Sequence, residues 1–252
     1  MSHSLMNDTL SFAQTAGALS LRWFQTTDLN VEEKDDGSPV TIADRTVETE
    51  LRRLITETYP NDTIIGEEFG ETGNHSGRVW YVDPIDGTKA FTQGVPLFST
   101  LVAVWENDEP LAAAIYLPAL DETVVAGKDL GCFWNGQPCH VSIQATLAKS
   151  YITSSGLEYL PIHLLQELHT TGAHIRTWGD GYGFALVATG RADIMVDYGV
   201  SPWDIAPMSL ILTEAGGTFS AFDGSSSIHT GTAIGSNGLL HQSFLALLPK
   251  DL

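Results

Sequence analysis

Asp83 and Asp86 stand close together in the stretch Val82-Asp83-Pro84-Ile85-Asp86-Gly87-Thr88-Lys89. Two carboxylates this near repel each other unless a cation lies between them. Gly87 permits a tight turn without a Cβ penalty. Such a turn leaves backbone N–H groups free, and free N–H groups favour an anion. Cation and anion sites side by side are what metal-assisted chemistry on a phosphate needs. Taken alone, the stretch reads equally well as a solvated Asp-Gly turn.

Further carboxylates stand beside turns or helix starts: Asp44, Glu67 and Asp204. A donor set made only of oxygen selects hard divalent cations, Mg²⁺ first among them. Two or more such ions can clamp a phosphate, activate a water and stabilise the leaving oxygen. In that scheme the Thr88 hydroxyl orients the attacking water, and Glu67 or Asp44 accepts its proton. The backbone N–H groups of Gly87 and Thr88 hold phosphate oxygens. Singly, each residue has a plainer role: Asp44 caps a helix, and Glu67-Glu68 is a charged loop. Other chemistries fit worse. The chain has no G-x-S-x-G elbow and no Walker A motif. Its D-x-x-D spacing is not the D-x-D of aspartyl-phosphate enzymes, and its histidines form no metal-spaced pair.

The apolar, aromatic residues 78–81 predict a buried strand that delivers Asp83, with Pro84 ending its ladder. Helical periodicity marks residues 10–24 and 47–55, which puts Asp44 near a helix start. A short strand at 63–65 leads into Gly66-Glu67-Glu68. Strands follow at 97–105, 111–116, 123–126 and 132–134, and Asn135-Gly136 signals a two-residue hairpin. The second half mixes strands at 151–153, 192–196, 218–222 and 232–234 with helices at 157–169, after Gly179, from Pro202 to Gly216-Gly217, and at 241–248. Pro207 is expected within the first turn of its helix, where an N–H has no partner to lose. Gly37-Ser38-Pro39 breaks the chain before Asp44. The pattern divides into an α+β half with the metal site, 1–145, and an α/β half closing the substrate site, 146–252.

With 43% hydrophobic residues, the 252-residue chain can bury a sizeable core. A net charge of −19 disfavours nucleic acid and anionic membranes as partners. It also repels phosphate esters, so a phosphate site here needs cations. Cys132 and Cys139 have no ligand set around them and fit reduced thiols in a cytosol. The sequence shows no signal-peptide pattern and no apolar run of membrane length, so a cytoplasmic protein is expected.

Three stretches resemble the signatures of the inositol monophosphatase family: Gly66-Glu67-Glu68, DPIDGTKAF at 83–91 and WDIAPMSLILTEAGG at 203–217. They occur in the right order across nearly the whole chain. The resemblance implies an αβαβα sandwich of the α+β class and Mg²⁺-dependent hydrolysis of a phosphate monoester by direct attack of water. It implies two or three Mg²⁺ ions per site, held by Glu67, Asp83, the Ile85 carbonyl, Asp86 and Asp204. It gives water activation to Thr88 and Asp44, and sets Asp180 and Asp197 beside the leaving alcohol, with Ile85, Gly87, Thr88 and Asp204 around the phosphate. It further implies a small phosphorylated metabolite as substrate, a homodimer and inhibition by Li⁺.

Within the family, SPVTIADR at 38–45, GVPLFSTLVAV at 94–104 and the stretch 179–207 are most similar to histidinol-phosphate phosphatases. Ser99 departs from that subgroup, where Gly is expected, and so does Gly181, where a larger or sulfur-bearing residue is common. Inositol monophosphatase activity, a 3′-nucleotidase for bisphosphorylated adenosine and a silent regulatory binder are the alternatives. Asp180 has one as well: it caps the helix that starts near Gly181.

Overall fold

Strands that are apolar along their whole length must be covered on both faces. Glu122–Gly127 is buried at every position, and Ser99–Glu106 at its first six. The computed structural model, which describes residues 2–26, 31–33, 39–73 and 77–248, shows what covers them. Gly37 and Ser38, named above, lie outside the described residues.

An eight-stranded sheet has the spatial order Gln137–Pro138, Gly131–Trp134, Glu122–Gly127, Glu109–Leu117, Ser99–Glu106, Arg78–Asp86, Thr63–Gly66, Gly70–Thr72. Its period-two alternation sorts the side chains. Trp80, Val82, Val102 and Val104 face the helices Ser2–Gly17 and Ile42–Thr58, meeting Phe12, Val47, Leu51 and Ile55. Tyr81, Leu101, Ala103 and Ile115 face the other way, onto Phe184, Val187, Ile205 and Met208. Those four belong to the helices Asp180–Ala188 and Pro202–Glu214.

A five-stranded sheet lies beyond this helical layer, in the order His174–Arg176, Tyr151–Thr153, Ile194–Tyr198, Thr232–Ser236, Thr218–Ser220. Met195, Phe219 and Ala233 pack inward. Ile152, Ile194, Val196 and Ile234 pack outward on Leu164, Leu168 and Phe244 of the last helical layer. The layers are therefore αβαβα, as expected. The chain leaves the first sheet after Pro138 and enters the second at Tyr151.

Local turn chemistry is realised where it was expected. Asn135 and Gly136 have φ of 47° and 75°, the two positive values a type I′ hairpin requires. The prolines behave differently. Pro84 does not end its strand, which runs from Arg78 to Asp86 with a register shift between Asp83 and Asp86. Pro161 divides the 157–169 segment into a 3₁₀ turn, Leu157–Tyr159, and a helix, Ile162–Thr171. Pro207 sits inside its helix, beyond the first turn, so an internal N–H is lost there.

Candidate active site

Residues i and i+3 of a regular strand point to opposite faces, which would separate Asp83 from Asp86. The bulge at Pro84 restores parity. Asp83 pairs with Leu101 and Asp86 with Ser99, so three steps on one strand match two on its neighbour. The freed Pro84 carbonyl accepts the Thr100 hydroxyl at 2.8 Å. Both carboxylates thereby line one cavity of about 570 Å³, together with Glu67, Ile85, Gly87, Thr88, Asp180, Asp197 and Asp204. Gly87 has φ of 83°, and a Cβ there would lie 3.1 Å from Asp180 Oδ2 and 3.1 Å from the Leu97 carbonyl. The Ile85 carbonyl accepts the Thr88 hydroxyl at 2.9 Å.

Asp44 and Asp204 share one device. Each is the third residue of its helix and accepts, on Oδ2, the N–H of the residue before the helix: Thr41 at 2.8 Å and Ser201 at 2.7 Å. The capping role of Asp44 is thus real, and it uses one oxygen only. Its Oδ1 is buried and has no hydrogen-bond partner among the described residues. Asp44 lies behind the cavity rather than on its wall, close enough for its charge to act on Asp83. Asp180 is not the cap of its helix. Its N–H donates to Ser155 Oγ at 2.8 Å, and the following N–H, of Gly181, is capped by Asp86. The Ser155 hydroxyl in turn donates to Asp197.

Glu67 continues the strand Thr63–Gly66, its N–H donating to the Val82 carbonyl at 3.3 Å. The turn after it is clamped by a residue the sequence did not single out. Glu48 is fully buried and accepts the N–H groups of Glu68 at 2.7 Å and Phe69 at 3.2 Å. Arg52 pairs with Glu48 at 2.7 Å and donates to the Gly70 carbonyl at 2.5 Å. A Cβ on Gly66 would lie 2.2 Å from Glu48 Oε1, so this clamp needs glycine there. Glu48→Ala leaves Arg52 half-buried and unmatched. It is expected to cost about 3–5 kcal/mol of stability in urea unfolding, with Glu48→Gln intermediate. Equal stability of wild type and Glu48→Ala would exclude the clamp.

Burial and mutual repulsion govern the electrostatics. Burial pushes Asp83 well above the usual carboxylate range, and Glu67, Asp86, Asp204 and Asp44 push it further. Asp86 is raised by burial, then by Asp180 and Asp204, against its bonds to Ser99 and Gly181. Burial raises Asp204 to about 7 and Asp44 to about 6. Burial also raises Asp197 to about 7, and it raises Asp180 against the pull of Ser155 and Lys89. Lys89 is the one cationic side chain among the described residues lining the cavity, and it bonds the Tyr159 hydroxyl.

A hard divalent cation fits this donor set. The donors are all oxygen, and they raise one another's affinity for positive charge. Asp83 Oδ1, like Asp44 Oδ1, is buried with no hydrogen-bond partner among the described residues. Among the described residues no three acidic, His or Cys side chains converge as a finished chelate. No helix among them is long and apolar enough to cross a membrane.

Comparison with known proteins agrees with this geometry. The inositol monophosphatase family model matches residues 4–251. A histidinol-phosphatase of Chlorobaculum parvum is 38% identical over 95% of this chain and 94% of its own. One of Mycobacterium tuberculosis is 36% identical over 98% and 99%. The crystal structure of the extragenic suppressor protein suhB from Bartonella henselae superposes with a TM-score of 0.92 at 28% identity, over 99% of this chain and 100% of that one. With the three signatures gathered around one cavity and a match that runs almost end to end, the chain belongs to the inositol monophosphatase family and is a phosphatase acting on phosphoric monoesters.

Proposed function

We propose that the enzyme hydrolyses histidinol phosphate with the help of Mg²⁺. The observation that carries the substrate reading is a second acidic cluster on the cavity wall, Asp180 and Asp197, joined through Ser155. Asp197 is buried and Asp180 partly so, and both are desolvated. A neutral polyol does not call for two such carboxylates beside it, whereas an ammonium or imidazolium does. The names of the relatives from Chlorobaculum parvum and Mycobacterium tuberculosis support the same choice.

Glu67, Asp83, Asp86, Asp204 and the Ile85 carbonyl would hold the cations. When bound, Mg²⁺ supplies charge neutralisation for the phosphate and lowers the pKa of water. The Thr88 hydroxyl orients the attacking water, and Glu67 or Asp44 accepts its proton. Asp44 has the free oxygen for this in Oδ1. The N–H groups of Gly87 and Thr88 steady the phosphate oxygens. Asp180 and Asp197 orient the leaving alcohol's amine or ring. The proposal includes a cytoplasmic homodimer inhibited by Li⁺. The thiols of Cys132 and Cys139 form no disulfide, the Cys139 S–H donating to Cys132 Sγ at 3.5 Å, which suits a reducing compartment.

Phosphate release from histidinol phosphate, inositol 1-phosphate and adenosine 3′,5′-bisphosphate tests the substrate. Direct water attack makes a separate prediction. A single turnover in ¹⁸O-water is expected to put one label in the released phosphate and none in a protein carboxylate. Label in Asp83 or Asp86 after that turnover would make it a nucleophile and overturn the mechanism.

A further inference from the structure

Two donors from different layers hold the same oxygen of Asp86. The Ser99 hydroxyl, on the adjacent strand, reaches Oδ2 at 2.7 Å. The Gly181 N–H, at the start of the Asp180–Ala188 helix, reaches it at 2.6 Å. These two bonds engage Oδ2 and leave Oδ1 for the cavity that Asp86 lines.

The two donors also compete for one volume. A Cβ on residue 181 would lie 2.5 Å from Ser99 Oγ, 2.8 Å from Asp86 Oδ2 and 2.9 Å from Leu101 Cδ2. The first two contacts are far inside van der Waals distance, so something must give. Ser99 can yield only by rotating χ1, which breaks its bond to Asp86. It is fully buried, so a rotated hydroxyl finds no water in exchange. Asp86 can yield only by swinging its carboxylate, which changes the oxygen it shows to the cavity.

We infer that Ser99 and Gly181 are a coupled positioning pair that fixes the Asp86 carboxylate for cation binding. The bare backbone at 181 makes room for the hydroxyl at 99, and together they set the carboxylate's rotation. A chain with a side chain at 181 must give up the hydroxyl at 99. The inference rests on the cation reading proposed above and adds residues that touch neither cation nor substrate.

A double-mutant cycle tests it, with Mn²⁺ alone titrated into metal-free protein and free Mn²⁺ followed by electron paramagnetic resonance. Gly181→Ala is expected to weaken Mn²⁺ binding about tenfold or more, by displacing a charge-assisted bond. Ser99→Gly should weaken it less, and Ser99→Gly/Gly181→Ala should bind more tightly than Gly181→Ala alone. Ser99→Ala removes only the hydroxyl, and carries the test if Gly181→Ala fails to fold: it too should weaken Mn²⁺ binding. Additive effects in the cycle, or unchanged Mn²⁺ affinity in Ser99→Ala, would overturn the pairing. A wild-type protein that binds no Mn²⁺ would instead overturn the cation reading, and the assigned role with it.

Discussion

Asp83→Asn, Asp86→Asn and Asp204→Asn are each expected to lower phosphate release by roughly a thousandfold or more at saturating Mg²⁺. An amide oxygen brings no net charge, so it neither holds a divalent cation nor balances it against a phosphate. The fold should survive each change. All three carboxyls are raised first by burial and then by neighbouring carboxylates: Glu67, Asp86, Asp204 and Asp44 on Asp83, Asp180 and Asp204 on Asp86, Glu67 and Asp180 on Asp204, so the metal-free site is under repulsion that an amide relieves. The sign with pH follows. Asp204 has an ordinary value of 3.8 and a folded value of about 7. Between them the folded protein keeps a proton that the unfolded chain has released, so stability falls as pH rises through this window. The penalty is absent below the lower value and complete above the upper one. Metal-free Asp204→Asn should therefore melt above metal-free wild type at pH 7.5, with the gap narrowing toward pH 5. Near-normal phosphatase rates in purified Asp86→Asn would end the metal reading. A lower melting temperature for metal-free Asp204→Asn at pH 7.5 would end the repulsion argument.

The residues legible in the sequence are those whose signal is local. The signatures name Glu67, Asp83, Asp86 and Asp204: Glu67, Asp86 and Asp204 stand where a strand or helix begins or ends, Asp83 stands just before the proline bulge, and the cavity gathers all four. Asn135-Gly136 specifies its hairpin by turn chemistry alone. Pro84 shows where local reading stops. Its missing N–H weakens one rung, and the sheet absorbs the loss with a bulge because Leu101 and Ser99 on the neighbouring strand still pair on either side. Without that neighbour in view the proline reads as a stop. Asp86 as the cap of a helix that begins near residue 180 has no local signal at all, and the same holds for Glu48 holding the turn at Glu68. Ser99 and Gly181 read in sequence as two unrelated departures from a subgroup pattern. In the fold they share one volume. Asp44 lay between these cases, since its cap was legible and its second, unmatched oxygen was not.

Histidinol phosphate is expected to exceed inositol 1-phosphate by at least about tenfold in kcat/KM. In the proposed reading the groups around Asp83, Asp86 and the Gly87–Thr88 turn would handle any phosphate monoester, so discrimination would come from groups that meet the alcohol. Asp180 and Asp197 are the candidates. Both are largely buried, both line the cavity, and both are raised by desolvation, which means each would gain by pairing with a cation. Ser155 ties them together, so they present one site rather than two. Lys89 does not neutralise that site fully, because Asp180 stays raised in spite of it. A charge-assisted bond to an ammonium or imidazolium contributes roughly 1.5–3 kcal/mol, or about one to two decades in kcat/KM. Asp180→Ala should therefore cost histidinol phosphate about ten- to a hundredfold, while a small neutral phosphate ester loses little. Ser155→Ala should act in the same direction more weakly, since it frees the Asp197 carboxylate and the Asp180 backbone N–H without removing either acid. Equal loss on charged and neutral esters in Asp180→Ala would make the residue structural. A wild-type enzyme faster on inositol 1-phosphate would make the neutral polyol the substrate, and Asp180 and Asp197 would then have to serve Lys89 and the fold instead.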